Sequence, residues 1–321
     1  MANILTPLIA VFGIMLLGFI VQKLKVLPHD TDFTLNEYVY YVAFPAILFI
    51  ALAETDIHEI MQWGFIAAFG IAMVVTYFIT VLISSIADKK QPALAAIRGL
   101  NTSFGNTAFI GIPLMMMLYP DNNHAITAAA IASLLSVIMF AFAMVNMELA
   151  INKKQKRHPV LIMLNALISN PIVIGCTLGV MASALYIPIP DSISMMMRLI
   201  GNTSSPCALF AIGMVLAKAM HGGTEPETPP HHLAIEMGIL NILKLVIQPL
   251  IAYGLLRYFN VDNELLIMGV ILAALPTAAS VYLLAQRYQT YGLSSAKCIL
   301  ISTLATFISL PLIEQLLEQL S

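Results

Sequence analysis

Residues 101–120 read NTSFGNTAFIGIPLMMMLYP. They lie inside an apolar stretch long enough to cross a bilayer, yet Asn101, Asn106, Gly105, Gly111 and Pro113 stand where a simple membrane helix would carry Leu and Ile. Pro113 removes a backbone donor and clashes with the turn before it. Gly105 and Gly111 loosen the chain on either side. In lipid an unsatisfied backbone group costs several kcal/mol, so an interrupted helix survives only where protein or a water-filled cavity surrounds it. Breaks in corresponding positions of two halves of a chain point to a transporter's substrate site. A second interruption is expected at LAALPTAASVYLLAQ, residues 272–286, around Pro276.

Composition fits this reading. Of 321 residues 60% are hydrophobic and 10% charged, with a mean hydropathy of +0.89. Soluble domains carry about 25% charged residues. The net charge of −2 implies no acidic or basic partner. Cys176, Cys207 and Cys298 all fall in apolar segments and offer neither a disulfide framework nor metal spacing. Ten apolar segments approach the length of a membrane span: 3–24, 33–53, 62–87, 93–119, 124–150, 159–184, 193–219, 233–257, 264–286 and 296–317. The first lacks a basic n-region and a cleavage site, so it is read as a span and not a signal peptide.

Basic residues set the expected orientation. With both termini outside the cytoplasm, the inner side holds Lys23, Lys25, Lys89, Lys90, Arg98, Lys153, Lys154, Lys156, Arg157, Lys218, Arg287 and Lys297, while the outer side holds Arg198 and Arg257. The expected location is therefore the plasma (inner) membrane, multi-pass. The two halves also repeat. Gly18, Leu24, Pro45, Leu48 and Phe49 match Gly179, Leu185, Pro206, Leu209 and Phe210 at a spacing of 161 residues, and Pro113 matches Pro276 at nearly the same spacing. The expected fold is all-α integral membrane, ten transmembrane helices as a 5+5 inverted repeat, with residues 1–152 as the first repeat and 153–321 as the second. Five helices per half is an odd number, so the second half enters the membrane inverted, an arrangement suited to alternating access.

These stretches resemble the auxin efflux carrier family, which includes plant auxin carriers and bacterial malate and malonate carriers and is related to the bile-acid sodium symporters. The likeness covers nearly the whole chain. It rests on LNEYVYYVAFPAILF in helix 2, GNTAFIGIPL in helix 4, SNP in helix 6, KLVIQP in helix 8, and AALP followed by AQRY in helix 9. The pattern Asn-Thr-x-x-x-Gly-x-Pro-Leu is the most specific of these. The resemblance implies a scaffold of helices 1, 2, 6 and 7, a transport domain of helices 3–5 and 8–10, and broken helices 4 and 9 crossing at the site. Thr277 stands where plant carriers commonly carry Gln, and the long loop of many plant members between helices 5 and 6 is absent.

The candidate substrate-binding residues are Asn101, Asn106, Thr107, Gly111, Pro113, Asn170, Lys244, Gln248, Pro276 and Thr277. Free N–H groups at half-helix N-termini attract anions. Asn106 and Thr107 can add side-chain donors without a charge to desolvate; Asn101 and Ser103 serve equally as interhelical glue. Lys244 is the one clear intramembrane charge, about 18 Å into helix 8 at 1.5 Å per residue. It would favour an anionic substrate, or be held structurally by a helix carbonyl. Asn170, beside Pro171, reads as a substrate contact or a kink, and Gln248, beside Pro249, as a pathway residue. Pro45 and Pro206 are read as paired scaffold kinks, and Trp63 as an interface anchor. His221, His231 and His232 read as a solvated loop rather than a metal site.

The function expected is a secondary active transporter of small organic anions, mono- or dicarboxylates such as malate or malonate, working by alternating access. A membrane sensor or channel with the same fold is the alternative. No nucleophile–base pair or metal pair at membrane depth supports an enzyme. No cofactor is expected, H+ or Na+ being the candidate coupling ions. The partners expected are the substrate and the bilayer, with no nucleic acid; a homodimer is compatible with the sequence.

Overall fold

A computed structural model describes residues 5–320 apart from 29, 89–90, 121, 152–160, 162–163, 165–166, 220–229 and 279. The basic loop 153–158 and His221 lie outside the described residues, as do the side chains of His231 and His232. Among the described residues the chain is helical and forms no strand. Six helices among the described residues are long and apolar enough to cross a membrane: Thr31–Ala53, Trp63–Ala87, Asn123–Met147, Asp191–Lys218, Ile235–Tyr258 and Ser294–Leu317. Shorter apolar helices occupy Ile9–Lys23, Thr107–Leu118, Pro171–Ala184 and Asn263–Ala273.

The helices are labelled α1 (Leu5–Lys23), α2 (Thr31–Ala53), α3 (Trp63–Ala87), α4 (Pro92–Ser103), α5 (Thr107–Leu118), α6 (Asn123–Ile151), α7 (Pro171–Ala184), α8 (Asp191–Asn202), α9 (Ser204–Ala219), α10 (Pro230–Tyr258), α11 (Asn263–Ala273), α12 (Ser280–Arg287) and α13 (Gly292–Leu320).

Helix α3 shows why the solvent must be lipid. Thr76, Thr80 and Ser84, four residues apart, are buried, while Phe78, Leu82 and Ile86 at the same spacing are exposed. Helix α13 repeats the arrangement, with Ser295, Ser302, Thr303 and Thr306 inside and Leu304, Phe307, Ile308 and Leu312 outside. A large apolar side chain left in water forgoes about 1.5–3 kcal/mol of burial. An apolar stripe facing out and hydroxyls facing in is the pattern of a membrane helix. The inward hydroxyls are satisfied by carbonyls one turn back, as from Thr76 to Ala72 at 2.8 Å and Thr306 to Ser302 at 2.7 Å. Trp63, 70% exposed, heads α3.

Among the described residues three helices contain a π turn, at Val39–Ala43, Thr107–Gly111 and Leu243–Ile247. Each is followed two residues later by a proline, Pro45, Pro113 or Pro249. Proline cannot donate to the carbonyl a turn earlier and its ring clashes there. The extra residue of a π turn moves that carbonyl aside, so the helix continues past the proline. Pro45 therefore sits in a continuous helix, while Pro206 lies in the first turn of α9.

The chain divides into two compact units. One comprises residues 1–66, 107–134 and 168–221; the other comprises 67–106, 135–167 and 222–321. In the first unit α1 packs on α9, and α2 on α7. Gly18 lies so close to α9 that a Cβ would fall 2.0 Å from the Phe210 carbonyl oxygen, and at Gly179 a Cβ would fall 2.7 Å from that of Phe49. These contacts exchange members of the two matched pairs, Gly18 with Gly179 and Phe49 with Phe210. In the second unit Arg98, buried in α4, reaches Ser84 and Asp88 after α3 and Glu236 in α10, the last at 2.6 Å. Tyr291 donates its hydroxyl to the same Glu236 carboxylate. Arg98 was grouped by charge with the cytoplasmic loops, but it is a helix residue whose charge is locally paired.

Candidate functional site

Helix α4 ends because Phe104 turns extended, at φ −95° and ψ 91°. Gly105 and Asn106 follow before the π turn begins at Thr107. The first interruption therefore lies at 104–106, and not at Pro113 as the sequence suggested. Pro113 occupies the first turn of the regular helix Ile112–Leu118, where a missing donor costs little because the π turn has already relieved the clash. The second interruption does contain its proline. Helix α11 starts at the cap Asp262, whose Oδ2 accepts from the Glu264 N–H at 3.1 Å, and it ends at Ala273, three residues before Pro276.

The two interruptions satisfy each other. The Asn106 N–H donates to the Pro276 carbonyl at 2.8 Å and the Ala278 N–H to the Phe104 carbonyl at 3.1 Å. They frame an antiparallel bridge between Gly105 and Thr277. Two stretches of irregular backbone at membrane depth thus become a minimal sheet, which removes the unpaired polar groups that lipid would not tolerate.

Side chains cap three further carbonyls of the two helix ends. The Thr277 hydroxyl donates to the Asn101 carbonyl at 2.7 Å, and Gln248 Nε2 to the Ser103 carbonyl at 3.1 Å. Lys244 Nζ donates to the Ala273 carbonyl at 2.9 Å and to Gln248 Oε1 at 2.6 Å. The Thr277 N–H finds Ser302 Oγ at 3.2 Å. Asn101 donates from Nδ2 to the Ile97 carbonyl and to Ser295 Oγ, both at 3.0 Å, while its buried Oδ1 has no hydrogen-bond partner among the described residues.

Of the residues singled out from sequence, Asn101, Asn106, Lys244, Gln248, Pro276 and Thr277 come together at this crossing, and all six are buried. Thr107, Gly111 and Pro113 lie on α5 in the other unit. Asn170 lies there too, as the cap of α7: its Oδ1 accepts from the Ile172 N–H at 2.9 Å, so Asn170–Pro171 begins a helix instead of kinking one. Gly105, Ser295 and Ser302 were not among the named candidates. The seven-residue spacing of the two serines on one face of α13 was the available signal. Among the described residues no cluster of His, Cys, Asp or Glu could hold a metal ion.

A family model described as Membrane transport protein matches residues 3–314. The chain is 27% identical over 309 residues, covering 95% of this chain and 92% of the relative, to a Rhizobium meliloti (strain 1021) protein named "Putative malonate transporter". It is 22% identical over 307 residues, 95% of each chain, to the "Uncharacterized transporter YfdV" of Escherichia coli (strain K12). With a match over nearly its whole length, the chain belongs to the membrane transport protein family, that of the auxin efflux carriers its motifs resemble.

Proposed function

We propose that the chain is a secondary carrier of small organic anions, mono- or dicarboxylates of the malate and malonate type, acting by alternating access. The observation that carries this reading is the crossing: two helices stop at membrane depth and their ends are satisfied by each other and by side chains of the same unit. A simple bundle has no need of such a construction, whereas a carrier requires a polar locus inside an apolar body. The malonate named for the relative supports the substrate class.

In this reading Asn106 receives a carboxylate, and the N–H groups opening α12 supply the positive end of a helix dipole. The spans 3–24, 33–53, 159–184 and 193–219 form the scaffold and the remaining spans the moving domain. The ten spans form a 5+5 inverted repeat, a reading supported by the exchanged contacts of Gly18 with Phe210 and Gly179 with Phe49. Both termini lie outside the cytoplasm of a plasma (inner) membrane. H+ and Na+ are the candidate coupling ions.

Uptake of labelled malonate, malate and monocarboxylates into proteoliposomes tests the reading. Saturable flux, competed by unlabelled acid, is expected; binding without flux would instead favour a membrane sensor, and non-saturating flux a channel. For orientation, cysteine placed at Asp121 should label from the outer side and at Lys154 only after permeabilisation. The opposite sidedness would overturn the topology.

A further inference from the structure

The Lys244 amine lies at 1% exposure, and no carboxylate pairs with it among the described residues. Its partners are oxygens without formal charge: the Ala273 carbonyl at 2.9 Å and Gln248 Oε1 at 2.6 Å. Ala273 is the last residue of α11. Gln248 joins the ammonium to the Ser103 carbonyl, the last of α4. Two helix C-termini therefore meet at one cation, each carrying roughly half a negative charge. One ammonium is close to the charge that neutralises both.

Gly105 provides the room. A Cβ there would lie 3.1 Å from Nζ and 3.7 Å from Cε. The π turn Leu243–Ile247 that precedes Pro249 carries Lys244 and leads directly into Gln248, so the proline also fixes the segment that delivers both ligating groups.

Main-chain carbonyls at helix C-termini are the oxygens by which membrane carriers hold Na+, and the Gln248 carboxamide oxygen is a neutral donor of the same kind. We propose that Lys244 is a tethered monovalent cation filling such a site at the crossing, so that this carrier needs no free Na+ there. The ammonium nitrogen stands in for the ion, and the Lys stem occupies the path by which an ion would enter. Removing the side chain should turn the occupied site into a vacant one, selective for small cations.

The test compares purified wild-type protein with Lys244→Ala and Lys244→Met, reading the thermal midpoint in chlorides of sodium, methylammonium and tetramethylammonium at equal ionic strength. Wild type should have the same midpoint in all three. Lys244→Ala should lose several degrees in tetramethylammonium and recover part of the loss in methylammonium or sodium, which fit the vacated space. Lys244→Met should lose a similar amount and respond to none, because its side chain fills the space without a charge.

A Lys244→Ala midpoint indifferent to the cation would overturn the proposal, since a merely structural lysine would give that result. So would wild-type protein stabilised by sodium over tetramethylammonium, an arm that decides even if neither variant folds. Only one consequence rests on the carrier reading: wild-type uptake equal in sodium and choline media. Absence of uptake in both would count against the carrier reading and leave the thermal result standing.

Discussion

The two interruptions of the crossing look alike in sequence and are built differently. Both fall in apolar stretches and both carry a proline at the matched position, Pro113 in one and Pro276 in the other. In the first, the chain leaves the helix at Phe104 and Gly105, and the proline lies in the first turn of the helix that follows. In the second, the proline stands in the break itself and its carbonyl receives the Asn106 N–H. The same residue type thus stands beside a wide turn that absorbs its clash in one stretch and provides the acceptor of the bridge in the other. A matched position in sequence does not carry a matched task.

The largest expected effect separates backbone from side chain at Asn106. Its N–H makes the bridge, and its carboxamide takes no part in that bond. Asn106→Ala should therefore leave the crossing folded while abolishing transport, because a buried carboxylate loses a donor that nothing replaces. Substrate-induced thermal stabilisation retained at wild-type strength in this variant would remove the site from the crossing.

Next in size is Gly105→Leu, which drives a side chain toward the Lys244 ammonium and should reduce both expression and thermal midpoint. Gly105→Ala should be milder, since its neighbour is the end of a long side chain. Size-exclusion profiles and midpoints of the pair measure how tightly the cation is held.

The two prolines then give the direct contrast. Pro276→Ala restores an N–H and a helix-compatible backbone where α11 stops, and should impair transport more than Pro113→Ala, which only permits the π turn to relax. Equal impairment would mean that the two breaks are mechanically equivalent after all. The smallest effect is expected for Thr277→Val, which uncaps the Asn101 carbonyl and should cost about 1 kcal/mol of stability, the net worth of a typical hydrogen bond.

The class of fold was legible because lipid leaves so few solutions: long apolar runs had to be helices, and Pro276 had to mark a place where one fails. The position of the first failure was not legible. Pro113 reads as a breaker in one dimension, and the π turn that absorbs it has no spelling of its own. Asn101, Asn106, Lys244, Gln248, Pro276 and Thr277 could be named because polar letters are rare in this chain. The partners of Lys244 could not, since a carbonyl oxygen belongs to every residue and only the chain's path decides that Ala273 supplies it. Ser295 and Ser302 were passed over because a small hydroxyl in an apolar helix usually bonds one turn back, as Ser302 also does, to the Ile299 carbonyl at 3.0 Å.

Each π turn is, arithmetically, one surplus residue. At 3.6 residues per turn, a single residue inserted into a regular helix would rotate everything downstream by about 100° about the axis, and the wide turn takes that rotation up. Helix α10 therefore keeps one buried face across Leu243–Ile247 while its sequence periodicity slips by one residue there. Met237 and Leu240 share that face with Ala252 and Leu256, and all four are buried. A helical wheel drawn through the whole of α10 without allowing for the slip would superimpose lipid-facing and protein-facing positions. Deleting one residue within 243–247 would leave the downstream face where it is but return the Pro249 ring to the clash that the wide turn relieves, a lesion that hydropathy would not betray.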